Sequence, residues 1–104
     1  KQSAVVENKT EEKPKHCPVD KAELGQSTWN LLHTIAVNYE QRPTLEQQRT
    51  MRQFLDTFAK LYPCSYCAED MRKFMKNNPP DVHNDKTLTM WMCKMHNDVN
   101  RYAI

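Results

Sequence analysis

Two cysteines separated by two residues, in the run Pro63-Cys64-Ser65-Tyr66-Cys67, bring sulfur chemistry to a point where one helical pattern stops and another begins. On the first turn of a helix such a pair can close a small disulfide and reopen it. The free N–H groups and the positive dipole end of that turn favour a thiolate. An ordinary cysteine, with a pKa of about 8.5, is only a few per cent thiolate at neutral pH; lowering it by roughly two units makes thiolate the majority form. The pair is therefore either a redox centre or half of a metal site.

Both readings find further residues. Cys93 and His96, three apart on a helical stretch, would complete a set of four zinc ligands if they approached the cysteine pair to within about 2.0–2.3 Å of one point. Zinc gives no reason, however, for a face made of Gly25, Trp29, His33 and Ala36, or for Asn97 and Asn100 after the histidine. A gap, a flat ring and hydrogen-bonding groups are suited to sandwiching a planar, polar-edged ring system and bonding its rim. Taken singly, Trp29 and Trp91 are ordinary core residues, and His33 and His96 ordinary buried or surface histidines. The six methionines fall mostly on apolar stripes and read as core filling.

The elements that must position these groups are helices. From about Lys21 to Tyr39, Leu24, Thr28, Leu31, Leu32, Ile35 and Tyr39 recur at helical spacing, with the Gly25/Trp29/His33/Ala36 stripe beside them. Asp20 with Glu23 looks like a capping pair, and so does Thr44 with Gln47 after the break at Arg42-Pro43. The second helix carries Met51, Phe54, Leu55, Phe58, Leu61 and Tyr62 on one face and stops at Pro63. A third packs Met71, Phe74 and Met75 and ends at Asn77-Asn78-Pro79-Pro80. The fourth starts near Asp85 with Leu88, Trp91, Met92, Met95 and Val99 as its stripe. Four amphipathic helices with short connectors predict an all-α fold, a four-helix bundle. Residues 1–16, rich in lysine and glutamate, read as a disordered tail before a single domain over 17–104.

Composition narrows the classes. One glycine in 104 residues argues against a sheet joined by tight turns. Fifteen basic against 13 acidic residues, scattered along the chain, give nucleic-acid binding little support. No apolar run approaches the roughly 18 residues of a membrane span. Four cysteines are too few for a disulfide-dense secreted scaffold.

The segments Cys17-Pro18, Leu24-Gly25, Thr28-Trp29, Leu32-His33-Thr34, Tyr62-Pro63-Cys64, Cys67-Ala68, Trp91-Met92-Cys93 and His96-Asn97-Asp98-Val99-Asn100 follow one another in a familiar order and spacing. The chain resembles the Erv/ALR family of FAD-linked sulfhydryl oxidases from Cys17 to about Arg101. The resemblance implies a four-helix bundle holding FAD, usually as a homodimer. It implies that Cys64 and Cys67 are the redox-active disulfide, Cys67 against the flavin ring and Cys64 exchanging with the incoming dithiol. It implies FAD contacts from Lys21, Ala22, Glu23, Leu24, Gly25, Gln26, Ser27, Thr28, Trp29 and His33, and from His96, Asn97, Val99, Asn100 and Arg101. The substrate would be a protein dithiol, an oxidoreductase of the mitochondrial import pathway. Electrons would pass through FAD to oxygen or cytochrome c, and the location would be the mitochondrial intermembrane space, with the cytosol or the secretory pathway as the alternative.

Where the family pattern continues with another cysteine and a tryptophan-containing tail, this sequence reads Tyr102-Ala103-Ile104. The resemblance then implies that Cys93 and Cys17 lack their usual disulfide partners and that several flavin contacts are missing. The alternative to an oxidase is a non-catalytic helical module, zinc-stapled or a remnant unable to hold FAD.

Overall fold

The computed structural model describes residues 21–101, which form four helices: α1 (Lys21–Val37), α2 (Leu45–Leu61), α3 (Ser65–Asn77) and α4 (Asp85–Arg101). The expected all-α bundle is the fold observed. The Asp20 half of the first capping pair and Cys17 lie outside the described residues.

Each helix boundary has a local chemical cause. Thr44 caps α2 reciprocally: its hydroxyl accepts from the Gln47 N–H at 3.0 Å while Gln47 Oε1 accepts from the Thr44 N–H at 2.8 Å. Cys64 is the N-cap of α3, extended at φ −105° and ψ 107°, and its carbonyl accepts the first helical bond from Ala68 at 2.8 Å. Asn78 closes α3 by donating its backbone and side-chain N–H groups to Phe74 O, and Pro79-Pro80 prevent continuation. A cap at Asn84 starts α4. Its Oδ1 accepts from the Thr87 N–H at 2.9 Å, and Thr87 Oγ1 accepts from the Asn84 N–H at 3.2 Å.

Packing runs in series: α1 lies against α4, α4 against α3, and α3 against α2. A groove of about 690 Å³ separates the end of α1 from the first half of α2, lined by Ile35, Tyr39, Met51 and Phe54 among others. The expected stripe of α4 is buried residue for residue, and it forms the centre of the core with Leu32, Ala36, Leu55 and Met71. Burying each such large side chain contributes roughly 1.5–3 kcal/mol. Polar bonds also tie elements together. Trp91 Nε1 donates to Asn78 O at 2.9 Å, Arg72 Nη1 to Ala59 O at 3.0 Å, and Tyr39 Oη to Val82 O at 2.9 Å. Burial beside Val82 raises the Tyr39 phenol above its ordinary pKa.

The structure corrects two stripes. On α1 the buried seam is Thr28, Trp29, Leu32 and Ala36, whereas Leu31 is 54% exposed. Trp29 and Ala36, read as a separate chemical face, therefore belong to the core contact with α4. The run is apolar on more than one side, so periodicity alone left the seam ambiguous by a residue. On α2, Leu61 is 75% exposed because the helix ends there, and Ala59 takes the buried place beneath Arg72.

Candidate functional site

The end of α2, the start of α3, the first half of α1 and the last turns of α4 enclose a cavity of about 720 Å³. The cysteine pair opens onto it. Cys64 and Cys67 are joined as a disulfide with their Cα atoms 5.2 Å apart, the first at the N-cap of α3 and the second in its first turn. That position sets both cysteines at the positive dipole end of α3, which favours a leaving thiolate, although the Cys64 side chain makes no capping hydrogen bond. Cys64 is buried, at 5% exposure, and Cys67 half-buried.

Trp29 of α1 and His96 of α4 form another part of the lining. Their rings stack face to face, with centroids 4.2 Å apart and planes within 14°. The two rings touch each other and present one joint wall. Contact between them removes both faces from water, which a slot held open would not do. Behind His96 stands His33, its Nε2 2.9 Å from His96 Nδ1. Burial, followed by the field of His33, holds His96 below the ordinary histidine pKa.

Of the residues singled out in the sequence, Ala22, Leu24, Gly25, Gln26, Trp29, Cys64, Cys67, His96, Val99 and Asn100 line this one cavity. Glu23 and Ser27, one turn apart, lie on the exposed opposite side of α1, since a continuous helical run cannot present every residue to one space. Thr28 is buried in the core, Asn97 is exposed, and His33 stands beside the cavity wall, its ring next to those of His96 and Trp29. Lys21 opens α1 and Arg101 closes α4. Sequence reasoning missed Asn30, Tyr62, Tyr66, Asp70 and Met71, which complete the lining. The available signal was positional: Tyr66 lies inside the Cys-x-x-Cys motif, and Asp70 and Met71 follow Cys67 by one helical turn.

The zinc alternative fails on this geometry. Cys93 is an exposed free thiol, away from the cavity, and the other two sulfurs are bonded to each other. Among the described residues no three potential ligands converge.

A cavity of this size lies within the range of about 300–1,000 Å³ typical of cofactor sites. It offers apolar walls (Leu24, Met71, Val99) and amide groups (Gln26, Asn30, Asn100) to a large heterocycle with a polar rim. A Cβ built at Gly25 meets nothing within 4 Å, so the chain's sole glycine is not required by packing within the protein. It leaves bare helix backbone beside the cavity, a place a ligand can approach closely. The residues therefore fit a flavin dinucleotide.

Residues 26–103 match the sequence profile of the Erv1 / Alr family. The chain belongs to that family. It is 44% identical over 84 residues to the mitochondrial FAD-linked sulfhydryl oxidase ERV1 of Saccharomyces cerevisiae, covering 81% of this chain and 44% of the relative. Against the mitochondrial FAD-linked sulfhydryl oxidase erv1 of Schizosaccharomyces pombe it is 49% identical over 83 residues, 78% of this chain and 46% of the relative. The chain thus spans less than half the length of these curated Erv1 proteins. Among solved structures it is similar to the FAD binding domain of Erv1 from Saccharomyces cerevisiae, with a TM-score of 0.79 and 42% identity over 82% of this chain and 81% of that one. The yeast Erv1 core gives a TM-score of 0.82 at 40% identity, covering 90% and 80%.

Proposed function

We propose that this chain is the catalytic domain of an FAD-dependent thiol oxidase that makes disulfides in protein dithiols. One observation carries the reading: a Cys-x-x-Cys disulfide at a helix N-terminus opens onto the same cavity as the Trp29–His96 wall and the uncovered backbone of Gly25.

A substrate thiolate attacks Cys64 Sγ, forming a mixed disulfide and breaking the Cys64–Cys67 bond; the electron pair of that bond leaves on Cys67. The N-terminal turn of α3 stabilises this leaving thiolate, which lowers the barrier to exchange. The substrate's second thiolate then attacks its own sulfur in the mixed disulfide and releases Cys64. Two electrons have passed from the substrate dithiol to the cysteine pair. When bound, FAD would supply the two-electron acceptor for the reduced pair, with oxygen or cytochrome c as the terminal acceptor. Gly25, Gln26, Trp29, His96, Val99 and Asn100, which line the cavity, would hold it, and the indole and imidazole would shield that side of the cavity from water. The burial of Cys64 makes access to its sulfur selective, so that a flexible dithiol segment reaches it more readily than a rigid one.

The two yeast relatives are named mitochondrial, which supports a mitochondrial site for this chain and, with the dithiol chemistry, the intermembrane space. Exposed apolar side chains on α1 and α2, Leu31, Leu45 and Phe54, are surface that a second copy would cover in a homodimer.

The purified chain is expected to be yellow and to oxidise dithiothreitol with uptake of oxygen. Cys67→Ser is expected to keep the flavin, lose turnover and, when offered a substrate in its disulfide form, hold it at Cys64 as a mixed disulfide by thiol–disulfide exchange. Full turnover in Cys67→Ser, or a folded protein that stays colourless in excess FAD, would overturn the proposal. Capture by Cys64→Ser instead would reverse the two roles.

A further inference from the structure

Large apolar side chains stand exposed on both sides of the sulfur that an incoming dithiol must reach. Leu61, which ends α2, is 75% exposed, and Tyr66, inside the Cys-x-x-Cys motif, is 54% exposed. Pro63 between them is exposed as well. Resting on the thiol-oxidase reading above, we propose that Leu61, Pro63 and Tyr66 form an apolar rim that sets substrate specificity. It selects a dithiol segment carrying a large apolar residue next to the cysteine that attacks Cys64.

The connector from α2 to α3 creates this arrangement. Tyr62 (φ −59°, ψ 130°) and Cys64 (φ −105°, ψ 107°) are extended, and along extended backbone successive side chains alternate in direction. Tyr62 and Cys64 turn in to the cavity, and Pro63 turns out to solvent. The ring of Phe58, its centroid 5.6 Å from that of Tyr62, supports the inward course. Leu61 lies outside the cavity lining and only three residues from Cys64, at most about 11 Å of chain. Tyr66 follows Cys64 by two residues on the first turn of α3. It both lines the cavity and meets solvent, which puts its ring at the mouth.

An exposed leucine or tyrosine taken singly is ordinary surface. Three apolar side chains within positions 61–66, around a buried sulfur that a partner must touch, are a different case. A segment whose thiolate attacks Cys64 Sγ passes over this rim, so the residue beside its cysteine displaces the water there. An apolar residue gains from removing both surfaces from water, whereas a polar one loses hydration and meets no partner among these side chains. The gain is made on the way to the mixed disulfide, so it speeds reduction of the pair and no later step. The exchange is the one already described. The substrate sulfur bonds to Cys64, the electron pair of the Cys64–Cys67 bond leaves on Cys67, and the substrate's second thiolate closes its own disulfide and releases Cys64.

The test uses two short synthetic dithiol peptides, identical except for one residue beside the first cysteine, leucine in one and serine in the other. Each is mixed with an excess of the oxidised full chain in oxygen-free buffer. Samples are quenched in acid and alkylated, and peptide disulfide is followed by mass spectrometry. Dividing by the same rates measured with oxidised glutathione removes the intrinsic reactivity of the two thiols. The leucine peptide is expected to react about 10-fold faster than the serine peptide. Leu61→Ser and Tyr66→Ser each bring that ratio to about threefold, and the double variant brings it to about one. Tyr66→Phe keeps the ring and keeps the ratio. Because the ratio is taken within each variant, a general change in disulfide reactivity cancels. Equal rates for the two peptides on the parent chain, or an unchanged ratio in the double variant, would overturn the proposal. So would a Leu61→Ser chain that loses self-association in sedimentation velocity but keeps the ratio, since a second copy would then be what covers this surface. Oxygen uptake by the flavin-loaded chain is measured separately. Its absence would defeat the oxidase reading, while the exchange ratio still decides the role of the rim.

Discussion

Gly25→Ala separates what the fold requires from what a ligand requires. In a helix interior glycine is less stable than alanine by about 0.5–1 kcal/mol, because more backbone freedom is lost on folding. Most natural helical glycines resist the change because the new methyl would strike a neighbour. Here it meets nothing within 4 Å, and the backbone is helical within α1. The flavin-free protein should therefore gain most of that difference. A domain of this size shifts by about 4–8 °C per kcal/mol, so its midpoint should rise by about 2–8 °C. The loaded protein should behave in the opposite sense. The methyl would project into the cavity that Gly25 lines, and an added methyl in a filled site costs about 1–3 kcal/mol. That corresponds to FAD binding weakened by about 5- to 150-fold.

Differential scanning calorimetry of flavin-free protein gives the first quantity, and fluorescence titration with FAD gives the second. A stabilised variant with unchanged FAD affinity would show that nothing approaches this stretch of backbone, refuting the reason given for the glycine. A destabilised flavin-free variant would refute the open space itself. Only opposite signs in the two measurements agree with a glycine kept for a ligand.

Two stability predictions probe the frame that holds the site. Met92 is wholly buried at the centre of the core, so Met92→Ala should cost about 2–5 kcal/mol, read from denaturant midpoints at unchanged slope. A loss below 1 kcal/mol would mean that α4 is not packed as described. Thr44→Ala removes the reciprocal cap of α2 and should cost about 1 kcal/mol, with Thr44→Ser recovering most of it. Equal stability of the two variants would contradict the cap.

What the sequence disclosed and what it withheld divide along physical lines. Leu88, Trp91, Met92, Met95 and Val99 were legible because α4 is polar on its other faces, so one phase of the helical period is much better than the rest. The Thr44–Gln47 cap was legible because its partners are three residues apart and carry their own chemistry. On α1 the same reasoning failed at Leu31 and Ala36, since apolar residues occur on adjoining faces and only the neighbour, α4, selects the seam. Chemical residues behaved likewise. The sulfur pair announced itself by local spacing and helix position. The His33–His96 bond joins residues on the first and last helices, and no local pattern encodes it. Sequence placed both histidines on chemical faces but as parallel contacts to one ligand. In the fold His96 lines the cavity and His33 stands beside it, its Nε2 2.9 Å from His96 Nδ1. A contact across 63 residues of sequence becomes visible only when the helices are assembled.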